Sequence, residues 1–285
     1  LDTLLSYYKV HSDIIYHILL MEHAVVEHYF KKLNVKDFRE SIHVLYKKLK
    51  RHRKHAQKEE IYYLMYGKLL HALHYYPYYD KKAAKKALKE LFDCYDYFLK
   101  QPFKMRILAS IIRRILVCYG NLDDLKSFRD FYLSLEDANV LDNLTPNYKG
   151  WLLSTISFVE FSFSNVSTAE KYIHQAYDVF PKPPHSDLTD AGFYCSLLYH
   201  YVRINIALGK FNESYRMLLQ LNDYMRKNQN SNVSRYFMSQ RSIEKTISSL
   251  FFFIVQEMHV DMYKMKGTVL EDMVNRFIDL LSSYI

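Results

Sequence analysis

The chain has 285 residues, 49% of them hydrophobic and 25% charged, with a formal net charge of +8. That balance excludes a disordered or collagen-like chain and leaves length enough for one large domain or two small ones. Only six Gly and six Pro interrupt it, so long uninterrupted elements are expected.

Three cysteines, Cys94, Cys118 and Cys195, are too few and too scattered for a disulfide framework or a zinc site. They read as reduced, buried thiols of a cytoplasmic protein. No apolar run reaches the roughly 20 residues of a membrane-spanning helix. The longest, "SSLFFFIVQEM" at 248–258, reads as a core-facing helix. No secretory signal pattern is visible. The sequence begins at Leu1 rather than Met, so a module encoded before it, a DNA-binding one included, is left open.

A period near 3.6 runs through almost the whole chain, and no period-2 run is bounded by turn residues. The helices are predicted in pairs: 11–33 with 35–56, 58–76 with 80–100, 103–120 with 122–137, 147–164 with 167–180, and 187–209 with 211–227. A terminal pair follows at 232–265 and 268–284. In the second pair Ala84, Ala87, Leu88, Leu91, Tyr95, Phe98 and Leu99 share one face, with Asp80 as the expected N-cap. Short turns join later pairs: "YGNLDD" (119–124), "FSNVST" (163–168) and "LGKFNE" (208–213).

"SNVSTAEKYIHQAYDVFP" (164–181) resembles the second helix of a tetratricopeptide repeat. Ala169 occupies the small crossing position, Ile173, Ala176 and Tyr177 follow, and Pro181 closes the unit. "LGKFNESYRMLLQL" (208–221) is similar, with Gly209 at the turn and Ser214 at the small position. Aligning Ala84, Leu125, Ala169 and Ser214 gives steps of 41, 44 and 45 residues, longer than the usual repeat of about 34. The resemblance implies an all-α fold: a right-handed α-solenoid of about five degenerate hairpins plus a C-terminal pair. It would be one domain over 1–285, with a basic hairpin at 11–58, repeats over 58–227 and capping helices over 232–285. Such arrays present a concave surface lined by the first helix of each pair. They also resemble the peptide-sensing parts of bacterial cell-signalling regulators.

No catalytic or cofactor motif stands out, and a non-enzymatic protein without cofactor or metal is expected. His23, Glu27 and His28 miss the inverted zinc-protease spacing by one residue. On a helix His28 points about 140° from His23. His71 with His74, and His52 with His55, are pairs without further ligands. Gly67-Lys68 falls in mid-helix without an upstream glycine, so it is no phosphate loop.

Two surfaces remain. Residues 31–58 hold eleven Lys/Arg against Asp37 and Glu40, a net +9 that leaves the rest of the chain at −1. The apolar stripe Phe38, Ile42, Leu45 and Leu49 ends where Lys47, Lys48, Lys50, Arg51, Arg53 and Lys54 crowd together. Cations at a helix C-terminus are favoured by the dipole, but this cluster exceeds what capping needs. It reads as an anion-binding segment, for nucleic acid, an acidic protein or an anionic lipid surface. The second surface is an aromatic groove for a protein or short peptide. Its expected lining is Tyr63, Tyr66, Arg113, Arg114, Trp151, Phe158, Phe161, Tyr199, Arg203 and Asn205, although aromatics at helical spacing also build cores.

Overall fold

Helix caps and apolar stripes set the element order. A computed structural model describes residues 2–31, 34–77, 80–101, 105–183, 185 and 188–227; the terminal pair expected at 232–284 lies outside them. The described residues form eleven α-helices and two 3₁₀ turns, with no strand. The chain divides into two compact units, residues 1–163 and 164–285.

The first unit holds α1 (Asp2–His11), α2 (Asp13–Lys31), α3 (Val35–His52), α4 (Ile61–His74), α5 (Lys81–Phe98), α6 (Met105–Asn121), α7 (Leu125–Asp137) and α8 (Pro146–Ser162). The 3₁₀ turns Arg53–His55 and Lys58–Glu60 lie between α3 and α4. Each helix from α1 to α6 packs on the next, and α2 with α4 and α6 with α8 pack as second neighbours. The second unit holds α9 (Val166–Val179), α10 (Leu188–Ala207) and α11 (Phe211–Lys227), where α10 packs on both others.

The helices from α2 onward match the expected pairs to within a few residues. Helix α1 was not foreseen. Ser12 divides it from α2: its hydroxyl accepts from the Ile15 N–H (3.4 Å) and donates to Glu60 Oε1 (2.8 Å). Asp80 is the N-cap of α5 as expected, its Oδ1 accepting from the N–H groups of Lys82 and Ala83.

One register changes. The first backbone bond of each second helix runs from Ala84 to Asp80, Phe128 to Asp124, Ala169 to Asn165 and Ser214 to Lys210. The second of the four anchors is therefore Phe128, not Leu125, and the steps become 44, 41 and 45 residues. All four anchors are fully buried. The reason lies in the turn: Asp123 takes a left-handed φ of 58° and Asp124 becomes the cap. Gly209 does the same at φ 69°. In both turns the residue that follows donates to a carbonyl five positions back, Asp124 to Tyr119 (3.1 Å) and Lys210 to Asn205 (2.8 Å), as in a Schellman closure.

In the N-terminal core, Phe38, Ile42, Tyr46 and Leu49 of α3 meet Ile14, Ile18 and Met21 of α2 and Leu70 of α4. Gly67 makes this approach possible. A Cβ there would sit 2.1 Å from Leu49 Cδ2 and 2.8 Å from Ile18 Cδ1. Further along, Arg129 of α7 grips the fully buried Glu160 of α8 through two 2.8 Å bonds, and Tyr132 adds a third at 3.4 Å. All three cysteines are free and buried; burial pushes the Cys94 and Cys195 thiols up to about 12.

Gly67→Ala is expected to cost about 1–2 kcal/mol in urea unfolding, because overpacking outweighs the helix preference of alanine. Arg129→Met should cost about 3–5 kcal/mol, since it strands a buried carboxylate. Glu160→Gln should cost clearly less, because Arg129 keeps its access to solvent and a neutral acceptor.

Candidate functional site: the basic edge of α3

Helix α3 begins at Asn34, whose side chain accepts from the Lys36 N–H at 2.9 Å. Its apolar face ends at Leu49, 0% exposed. Beyond it the last turn of α3 passes into Arg53–His55, and His52 turns partly inward, 3.4 Å from Asp13. Lys47, Lys48, Lys50, Arg51, Arg53 and Lys54 are all exposed. The six predicted cations thus stand exposed around the end of α3 and the turn that follows it.

Beside that edge lies a pocket of about 580 Å³. Tyr46, Leu49, Leu64 and Met65 give it apolar walls; Lys50, Arg53, Lys68, Lys89, Glu90 and Asp93 give it charge. Lys68 is paired with Asp93. Among the described residues, Lys50, Arg53 and Lys89 have no ion-pair partner, and the Lys50 ammonium lies 5.6 Å from the Tyr46 ring centre. Low-dielectric walls strengthen the field of such cations.

A buried polar chain crosses the helices behind the pocket. Tyr76 donates to Glu90 Oε1 (3.1 Å), Glu90 Oε2 meets His71 Nδ1 (2.8 Å), and His71 Nε2 meets His43 Nδ1 (3.0 Å). His71 is 2% exposed and stacks on Tyr46 (4.2 Å) and Tyr75 (4.7 Å). His43 lines a second, open hollow of about 470 Å³ with Asn34, Val35, Lys36, Arg39, Glu40 and Tyr75. Burial first, then Glu90, pushes the Tyr46 and Tyr76 phenols up. Sequence spacing could not show this chain: His43, His71 and Glu90 sit on three helices, and only their amino-acid types hinted at polar chemistry.

The residues predicted for a groove lie on α4, α6 and α8 of the first unit and α10 of the second. Tyr63 and Tyr66 are half-buried on α4. On α6 and α8, Arg113 lies over the Trp151 ring at 5.1 Å, while Phe158 and Phe161 are half-buried. Arg114 lies inside, donating to the Tyr76 carbonyl at 3.1 Å near the end of α4. In the second unit Tyr199 and Arg203 share a half-exposed face of α10, the guanidinium 5.7 Å from the ring centre. Asn205 is 1% exposed, and its side-chain nitrogen and oxygen are unbonded. Among the described residues no group of three or more His, Cys, Asp or Glu could hold a metal ion, and no helix is long and apolar enough to cross a membrane.

No family model, curated protein or solved structure matches this chain significantly.

His74, on α4 beside the chain of polar contacts, is held down to about 4 by desolvation and then by the Arg114 guanidinium and His28. The unfolded chain then binds more protons than the native one between the ordinary histidine value and about pH 4. Stability should therefore fall as pH drops through that window, by up to about 3 kcal/mol. Urea titrations at stepped pH check this, and His74→Phe should flatten much of the slope.

Proposed function

We propose that this chain is a non-enzymatic binding module, a tetratricopeptide-like right-handed solenoid that holds an acidic, partly apolar peptide segment of a partner. The observation that carries this reading is the pocket beside the basic edge of α3. Three cations without partners among the described residues, Lys50, Arg53 and Lys89, surround apolar walls of Leu49, Leu64 and Met65. Carboxylates of a peptide satisfy the cations, and an apolar side chain between them covers the walls. The lysines and arginines outside the pocket add long-range attraction and speed encounter.

A nucleic acid would use this surface differently. It would draw on the outer cations Lys47, Lys48, Arg51 and Lys54 at least as strongly, with phosphate contacts dominating. Aromatic rings for base stacking are absent from that outer edge among the described residues.

Fluorescence anisotropy with a labelled peptide that alternates glutamate pairs with leucine tests the assignment, beside a labelled single-stranded oligonucleotide. The peptide should bind, and Lys50→Glu with Arg53→Glu should weaken it by about tenfold or more, at least about 1.4 kcal/mol. Reversing Lys48, Arg51 and Lys54 should weaken it by less than about threefold, a screened long-range effect. Tighter binding of the oligonucleotide, lost on reversing the outer cations instead, would refute the peptide reading.

A further inference from the structure

The chain of contacts behind the pocket fixes its own protons. An ionised Glu90 only accepts, so His71 donates to it from Nδ1. A neutral His71 then accepts at Nε2, and the 3.0 Å contact requires His43 to donate from Nδ1. That leaves the Nε2 lone pair of His43 as the one basic end of the chain, on the ring that lines the Lys36–Tyr75 hollow. A proton taken up at His43 Nε2 frees the Nδ1 proton to cross to His71 Nε2. The result is an imidazolium at His71, 2.8 Å from the Glu90 carboxylate that forms part of the pocket wall. One proton bound on the hollow side thus cancels one negative charge on the pocket side.

We infer that the pocket takes up its acidic ligand together with one proton, which enters at His43 and rests on His71 beside Glu90. This rests on the peptide-binding reading of the pocket and adds its regulation: a ligand rich in carboxylates is held more tightly as pH falls.

The surroundings support the assignment. On α3, Glu40 and Lys47 lie one turn either side of His43, and Tyr46 stacks on His71. From α4 and its end come His71, Lys68, His74, Tyr75 and Tyr76; from α5, Glu90, Asp93 and Cys94; from α6, Arg114; and from the 3₁₀ turn, Arg53. Lys68 is neutralised by Asp93, and Arg114 is engaged with the Tyr76 carbonyl. The Tyr46, Tyr76 and Cys94 protons are held by burial, and His74 is held neutral. Burial first, then His71 and Lys47, holds His43 below its ordinary value. The relay is therefore empty near neutral pH and fills when carboxylates arrive at the pocket.

Calorimetry of the full chain with the glutamate–leucine peptide, in buffers of different ionisation enthalpy, counts the protons. Uptake should approach one proton per peptide near pH 6.5, and affinity should rise by more than about tenfold from pH 7.5 to 6.0, where the peptide carboxylates stay ionised. His43→Gln should take up none and bind with a pH-flat affinity. Binding of the wild-type chain that is itself pH-flat, or uptake unchanged in His43→Gln, would overturn the proton coupling while leaving the peptide reading intact. No binding at any pH would overturn the reading itself. Imidazole ¹⁵N spectra of the free chain decide the relay independently of any ligand. Nδ1–H on both rings at high pH and an imidazolium at His71 at low pH are expected. Separate titration of the two rings, with the charge resting on His43, would overturn it.

Discussion

The approach of Leu49 to Gly67 is the constraint on which the basic edge depends. A side chain at residue 67 would meet Leu49 Cδ2 at 2.1 Å, so α3 lies this close to α4 only because the position is glycine. Leu49 is also the last apolar residue of α3. Once it is seated, each cation that follows on the last turn is exposed, while His52 turns partly inward. The positive charge of residues 31–58 is thus held by a packing contact rather than by any attraction of its own, since cations this close repel one another.

The same seating places three helices around one polar chain. Tyr46, one turn before Leu49, lies over His71, and His43, one turn earlier still, meets its far nitrogen. A buried imidazole is costly without partners. Here one nitrogen has Glu90 and the other has His43, so neither end is left unsatisfied. Glu90 gains a second donor in Tyr76. The network stabilises the α3–α4–α5 seam and sets the charge of the pocket wall at the same time, which links the fold of this region to what it can bind.

Much of the fold was legible. Breaker scarcity and the 3.6 period gave the helices, Asp80 announced its cap, and Leu49 marked where the apolar stripe of α3 stops. The misses share one cause: local sequence does not report which competing local bond wins. Ser12 could have continued a helix, but its hydroxyl accepts from Ile15 and caps α2 instead. Asp123 and Asp124 stand side by side in the turn, yet one bends the backbone left-handed and the other caps α7. That single choice moves the anchor from Leu125 to Phe128. The cation cluster was legible because it is contiguous in sequence. The His43–His71–Glu90 chain was not, because its members come together only in three dimensions.

The aromatic stripes and the basic edge now differ in a physical respect that composition alone could not supply. Arg113 already lies over Trp151, Arg203 over Tyr199, and Arg114 serves a backbone carbonyl. A ligand on those faces must compete with contacts the chain makes with itself, so part of each new interaction only replaces an old one. Lys50, Arg53 and Lys89 have no ion pair to give up among the described residues. All three are exposed, so their attraction for an anion is opposed mainly by their own hydration. Equal numbers of cations and rings therefore do not make equal binding surfaces. At the basic edge Lys50 does lie over the Tyr46 ring, but Arg53 and Lys89 have neither an ion pair nor a ring contact among the described residues, so an anion there displaces least.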